Sequence, residues 1–163
     1  MQRSSLWVAI ALLIVSFILG RVRVSPILRE RSFIIIKPDG TKRGLAPAIY
    51  RILETELGLS RLLEQEISVA SVTTLSEHYQ EHIDREFFPS LMSFMQSGPI
   101  VTSIWEGGLG TVKAVRRIVG PTDPARASPE TIRGRFGTNQ QANVIHASDS
   151  VASAQREISI WFS

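Results

Sequence analysis

No cysteine occurs anywhere in the 163 residues. That removes a disulfide framework, a thiol nucleophile and any cysteine-held metal site. A GxxxxGK[ST] phosphate loop is also absent, as is a GxSxG nucleophile elbow. "GGLGTVK", residues 107–113, has glycines without the spacing of either nucleotide fingerprint and reads as a turn. Acidic residues are missing from positions 1–29, which carry Arg3, Arg21, Arg23 and Arg29. The formal charge of +3 is therefore a property of this leader. Residues 30–163 hold 14 basic and 15 acidic side chains, a net of −1. Nothing in that balance points to nucleic acid as a partner. With 44% hydrophobic and 20% charged residues, the chain has the composition and length of one folded domain with a proper core.

The leader has a composition of its own. "LWVAIALLIVSFILG", Leu6–Gly20, is an almost unbroken apolar run between Arg3 and Arg21. As a helix it would be about 22 Å long, short for a span of roughly 20 residues, though Val22 and Val24 extend it. Three readings compete. A cleaved secretory signal needs a small-x-small site, which Ile18-Leu19-Gly20 supplies poorly. A mitochondrial presequence is arginine-rich and acid-poor, as here, but amphipathic, which this run is not. A single-pass membrane anchor over residues 1–29 fits best. The extra arginines on its C-terminal flank favour a domain held on the cytoplasmic side.

The domain is expected over residues 30–163. "SFIIIK", Ser32–Lys37, reads as a buried strand stopped by Pro38. A helix follows on Ile49, Ile52, Leu53 and Leu57. "EISVASVTTL", residues 66–75, has strand composition, and "SEHYQEHI" starts a helix with Ser76 as N-cap. Residues 87–96 read as helix, "PIVTSIW" as strand, and "TVKAVRRIV" as helix closed by Gly120-Pro121. A long loop runs from Pro121 to about Ile132, a length that often signals function. "ANVIH" is a last short strand, and a helix follows with Val151, Ala154, Ile158 and Trp161 at helical spacing. This order suggests an α+β fold: a split βαβ antiparallel sheet with helices on one face.

Only three histidines are present, and two lie in "HYQEH", residues 78–82. That stretch matches H-x-x-E-H. His78 and His82 one turn apart would offer two zinc ligands, with Glu81 as general base. A third ligand and a cleft are not visible, and Glu77, Glu81 and Asp84 make a solvated helix face the simpler reading. His146, in "NVIHASDS", stands at a strand end. Ser148 follows two residues on, and Glu157 lies about two turns into the next helix. Lys37, Arg116 and Arg133 supply cations elsewhere in the chain. A lone imidazole among cations suits phosphoryl transfer, with the ring as nucleophile and the cations on phosphate oxygens. A buried structural histidine remains the competing reading of these residues alone.

Four stretches narrow the choice. "FIIIKPDGTKRGL", "SGPIVTSIWEG", "PTDPARASPETIRGRF" and "NVIHASDSVASAQREISIWF" together resemble the signature segments of the nucleoside diphosphate kinases, in that family's order, from about Glu30 to the end. The resemblance implies a ferredoxin-like α/β sandwich and a ping-pong transfer. A nucleoside triphosphate phosphorylates the histidine, and a nucleoside diphosphate takes the phosphate away. It implies His146 as nucleophile, phosphorylated on the ring nitrogen nearer the backbone, and Lys37 on phosphate and sugar. Tyr79 would sit near the lysine and the transferring phosphate, Phe87 would stack on the base, and Arg116 and Thr122 would hold outer phosphates. Arg133 would bridge phosphates, Asn143 would reach the sugar, and Ser148 and Glu157 would orient the histidine. Mg²⁺ would ride on the nucleotide rather than in a protein cage. The neighbours of Tyr79 in "HYQEH" become helix surface. A homo-oligomer, tetramer or hexamer, is implied as well.

The resemblance is not complete. Ala147 replaces the usual glycine, at a cost of about a kilocalorie or more if the position has positive φ. Gln140 stands where an apolar residue usually faces the base, Arg135 where "RGDF" has its acid, and Pro121 where many members carry one. Short insertions fall near residues 54–60 and at Gly107-Gly108. The chain stops at "WFS", short of a C-terminal extension that aids assembly in many members. A weakened, membrane-tethered scaffold on the same fold is the alternative to an active enzyme.

Overall fold

The computed structural model of the protein describes residues 29–163, so the expected leader helix lies outside the described residues. The chain runs β1 (Glu30–Ile36), α1 (Pro38–Lys42), α2 (Ala46–Leu57), β2 (Ser60–Ile67), α3 (Val72–His78), α4 (Phe88–Met95), β3 (Ile100–Gly107), α5 (Thr111–Val119), α6 (Ile132–Phe136), β4 (Ile145–Ala147) and α7 (Val151–Trp161). Single 3₁₀ turns sit at Gln80–His82 and Pro124–Arg126. The four strands form one antiparallel sheet in the order β2-β3-β1-β4. This is the α+β sheet expected from the element order.

Helices cover both faces of the sheet, not one. The reason lies in β1, whose "FIII" run buries successive side chains on opposite sides. Ile34 and Ile36 pack with Ile49, Leu53, Trp105, Val115 and Ile132, under α2, α5 and α6. Phe33 and Ile35 pack with Leu75, Met92, Met95 and Trp161, under α3, α4 and α7. A continuous apolar strand marks a two-sided layer, and each face then needs its own helices.

Two boundaries differ from the sequence expectation. Only Glu66 and Ile67 of "EISVASVTTL" are strand, while Val72–Leu75 already belong to α3. Ser71, not Ser76, is the N-cap: its hydroxyl accepts the Thr74 N–H at 3.1 Å. That local bond outweighs the strand preference of the β-branched residues after it. The missed strand is β2, an edge strand whose side chains are nearly all exposed, so it carries no apolar alternation. In α7 the buried positions are Ala154, Glu157 and Trp161, while Val151 is exposed. The inward stripe therefore includes a carboxylate, Glu157, and leaves out Val151. Among the described residues no helix is long and apolar enough to cross a membrane.

Candidate active site

β1 and β4 are the central positioning elements. β4 pairs with β1 through Ile35 opposite His146, which fixes the histidine at the sheet's edge. Its approach is unusual. Ile145 N–H donates to Asn143 C=O at 2.8 Å, closing a three-residue turn around Val144 at φ 64°. A β-branched residue in that region is strained. The surroundings hold it there. Val144 N–H donates to Asp39 Oδ2 at 3.1 Å, and Lys37 N–H donates to Val144 C=O at 2.9 Å. Gly40 leaves the room: a Cβ there would meet the Val144 carbonyl oxygen at 2.8 Å. Ala147 has no positive φ, so the penalty expected of it does not arise. The strain sits three residues earlier.

His146 Nε2 bonds Glu157 Oε1 at 3.0 Å, and Ser148 Oγ donates to Glu157 Oε2 at 2.5 Å. Ser148 is fully buried and in turn accepts the Phe33 N–H at 3.1 Å. The carboxylate thus lies between serine and imidazole. Burial pushes its pKa up, with His78, Ser148 and Arg156 pulling the other way. Burial, then Lys37, Arg133 and Arg116, holds the His146 pKa well below 6.5, so the ring is neutral at pH 7. If Nε2 carries the hydrogen given to Glu157, Nδ1 keeps its lone pair. Among the described residues Nδ1 has no hydrogen-bond partner.

A cleft of about 570 Å³ opens over this group. Lys37, Tyr79, Phe87, Arg116, Thr122, Arg133, Asn143, His146 and Glu157 all line it, so nine of the ten expected site residues meet there. Ser148, the tenth, is buried behind Glu157. Lys37 Nζ donates to Asn143 Oδ1 at 2.8 Å, and Asn143 Nδ2 donates to the carbonyl oxygens of Thr122 and Gln140. Burial and the Arg133 charge bring the Lys37 pKa to about 8, with Asp39 opposing. Arg133 donates to the carbonyl oxygens of Gly120 and Ile145, both at 2.9 Å, and burial lowers its pKa to about 10. Its Nε and the Tyr79 hydroxyl are buried without partners among the described residues. Burial pushes the Tyr79 pKa up, so that hydroxyl keeps its proton. Two unpartnered donors and three cations in one cleft fit an oligo-anion. Phe87 is half exposed at the rim, tilted against His82 at 5.4 Å between ring centroids.

"HYQEH" behaves unlike either expectation for it. α3 ends at His78, and His82 lies in the following 3₁₀ turn. Hence the two rings do not share a helix face, and the inverted zinc-peptidase geometry is not formed. Nor is His78 helix surface: it is 2% exposed and packs T-shaped against His146 at 4.6 Å between centroids. Asp149, Gln141 and Ser153 also line the cleft, and nothing in their local sequence singles them out.

A family model described as nucleoside diphosphate kinase matches residues 30–163. The chain belongs to the nucleoside diphosphate kinase family. It is 46% identical over 133 residues to a nucleoside diphosphate kinase of Trichormus variabilis, covering 82% of this chain and 87% of that one. It is 48% identical over 134 residues to nucleoside diphosphate kinase B of Canis lupus familiaris, covering 82% and 86%. A nucleoside diphosphate kinase from Halobacterium salinarum, solved in complex with CDP, superposes with a TM-score of 0.78 at 40% identity, covering 82% of this chain and 88% of that one. As a family member the chain is a nucleotide-binding phosphotransferase. The scaffold reading is not favoured.

Proposed function

We propose that this kinase transfers a γ-phosphate from a nucleoside triphosphate such as ATP to a nucleoside diphosphate, by a ping-pong route through His146. The single observation that carries the reading is a neutral His146, held through Nε2 by a buried Glu157–Ser148 pair beneath a cleft of three cations. Nδ1 attacks the γ-phosphorus, an N–P bond forms, and the bond from phosphorus to the bridging oxygen breaks. The nucleoside diphosphate leaves with the bridging oxygen's electrons. Glu157 offsets the positive charge that develops on the imidazole. Lys37, Arg116 and Arg133, with the Tyr79 hydroxyl, take the phosphate oxygens. Thr122 lies on the outer phosphates, Asn143 on the sugar and Phe87 on the base. The second half-reaction is the reverse, with a different acceptor. Mg²⁺ is carried on the nucleotide's phosphates.

The test uses γ-labelled ATP and Mg²⁺ without acceptor. Acid-labile label on the parent, discharged by GDP and absent from His146→Ala, supports the reading. A folded parent that takes no label overturns it and revives the scaffold.

Two finer parts of the reading have their own support. A homo-oligomer, tetramer or hexamer, is supported by the unpaired edge of β2, where Leu62 and Leu63 are exposed. Light scattering after gel filtration tests it. Membrane attachment rests on the Leu6–Gly20 run and its flanking arginines. Fractionation of the full chain against residues 30–163 tests that, and leader cleavage would show as a lower mass.

A further inference from the structure

His78 is a titratable ring against the proposed nucleophile that the transfer chemistry leaves unused. It is 2% exposed and packs T-shaped against His146. Trp161 Nε1–H donates to His78 Nδ1 at 3.2 Å. An indole nitrogen can only donate, so Nδ1 is the acceptor, and a neutral His78 must carry its hydrogen on Nε2. That nitrogen is buried and has no partner among the described residues. One ring nitrogen of His78, one of His146 and one carboxylate oxygen of Glu157 lie within 4.8 Å of one another. Such a set has the donor chemistry of a zinc site. Lys37, Arg116 and Arg133 give the same place a positive field that repels a second cation.

We propose that His78 is a positioning residue for phosphoryl transfer: locked in one tautomer by Trp161, it turns its Nε2–H toward the His146–Glu157 pair and keeps the Glu157 carboxylate ionised and aimed at His146. This rests on the reading of His146 as nucleophile. Glu157 is buried and has one strong neutral donor, Ser148, on its second oxygen. A second N–H dipole facing it stabilises the ionised form, which complements the charge developing on His146. A cationic His78 would oppose that charge, and burial beside His146 and Arg156 keeps the ring neutral. The charged and titratable groups facing His78 are His146 on β4, Glu157 and Arg156 on α7, and Tyr79 and His82 beyond the end of α3. Those facing Glu157 are His146, His78, Tyr79, Arg156 and Asp149.

The experiment measures the phosphorylation rate from ATP against pH, for the parent, His78→Phe, His78→Gln and Trp161→Phe. The rate falls with pH as Glu157 protonates, so losing the dipole moves this acid limb to higher pH. His78→Phe is expected to shift the limb up by about one unit, with a loss that grows to about 10-fold well down the acid limb and vanishes on the plateau above it. His78→Gln keeps an N–H at similar reach and restores most of the profile. Trp161→Phe frees the tautomer and gives a smaller shift in the same direction. In a Glu157→Gln background, which has no carboxylate to hold, His78→Phe adds no pH-dependent loss. An unmoved acid limb in His78→Phe, a loss equal at all pH, or an undiminished effect in the Glu157→Gln background overturns the proposal. Should His78→Phe fail to fold, the Trp161→Phe profile decides. Label on the parent is scored separately, so a parent without phosphohistidine refutes the transfer reading instead.

Discussion

Lys37→Met isolates the electrostatic cost built into the cleft. Lys37 is 6% exposed, and its pKa lies at about 8 against 10.5 in water, through burial first and Arg133 second. A lysine with a lowered folded-state pKa binds fewer protons folded than unfolded between the two values. Stability therefore rises as pH increases from about 8 toward 10.5. Below pH 8 the ammonium is charged in both states and the whole penalty is present, about 3 kcal/mol at about 1.4 kcal/mol per pH unit. Methionine fills the position and does not titrate. Between pH 7 and pH 9 the parent should gain about 1.4 kcal/mol on Lys37→Met in urea unfolding, other titrating groups cancelling in the difference. The lost bond to Asn143 offsets the two proteins by a constant and leaves the slope alone.

Nucleotide binding should read the same penalty from the other side. Phosphate oxygens beside Nζ stabilise the ammonium and raise its pKa again. At pH 8.5 binding should then take up about 0.7 of a proton. Calorimetry in two buffers of different ionisation enthalpy measures that uptake, and Lys37→Met should lose it along with most of its affinity. A parent whose binding heat is the same in both buffers, or a stability gap that stays constant from pH 7 to pH 9, would refute the idea that Lys37 is held at a depressed pKa for an anion.

Ser148→Ala removes the donor to Glu157 and the acceptor of the Phe33 N–H, both buried, and should cost about 2–4 kcal/mol in chemical denaturation. Gly40→Ala puts a Cβ at 2.8 Å from the Val144 carbonyl oxygen and 2.9 Å from Ile36 Cγ2, so about 1–3 kcal/mol of stability and much of the rate should go together. Unchanged kinetics there would mean that the Val144 turn does not place His146. Phe87→Ala should leave the melting temperature nearly unchanged, since the ring is half exposed. It should raise KM by about 5- to 100-fold for purine and pyrimidine substrates alike, because a stacking face reads no base edge.

The sequence carries the site better than it carries its support. Lys37, Arg116, Arg133 and His146 are poor core residues, so pattern makes them candidates, the signature segments around them narrow the choice, and all four line one cleft. β1 is legible for a similar reason: four consecutive apolar residues, Phe33 to Ile36, cannot face water, and burying both faces forces the helices into two layers. Edge strand β2 is illegible because an exposed strand needs no alternation. The start of α3 is obscured because the Ser71 hydroxyl decides it against the β-branched residues that follow. His78 is misread for a more general reason. Acidic neighbours in sequence suggest a wet helix face, yet α3 stops at His78, which turns the ring inward while Glu81 and His82 stay outside. Val144 shows the limit most sharply. No propensity scale would put valine at φ 64°, and only contacts from Asp39, Lys37 and Gly40, all about a hundred residues away in sequence, hold it there. Two residues after that turn comes His146, the proposed nucleophile. The placement of His146 therefore follows from a strained turn held by Lys37, Asp39 and Gly40, and the local sequence around "NVIH" marks the proposed reacting group without revealing what aims it.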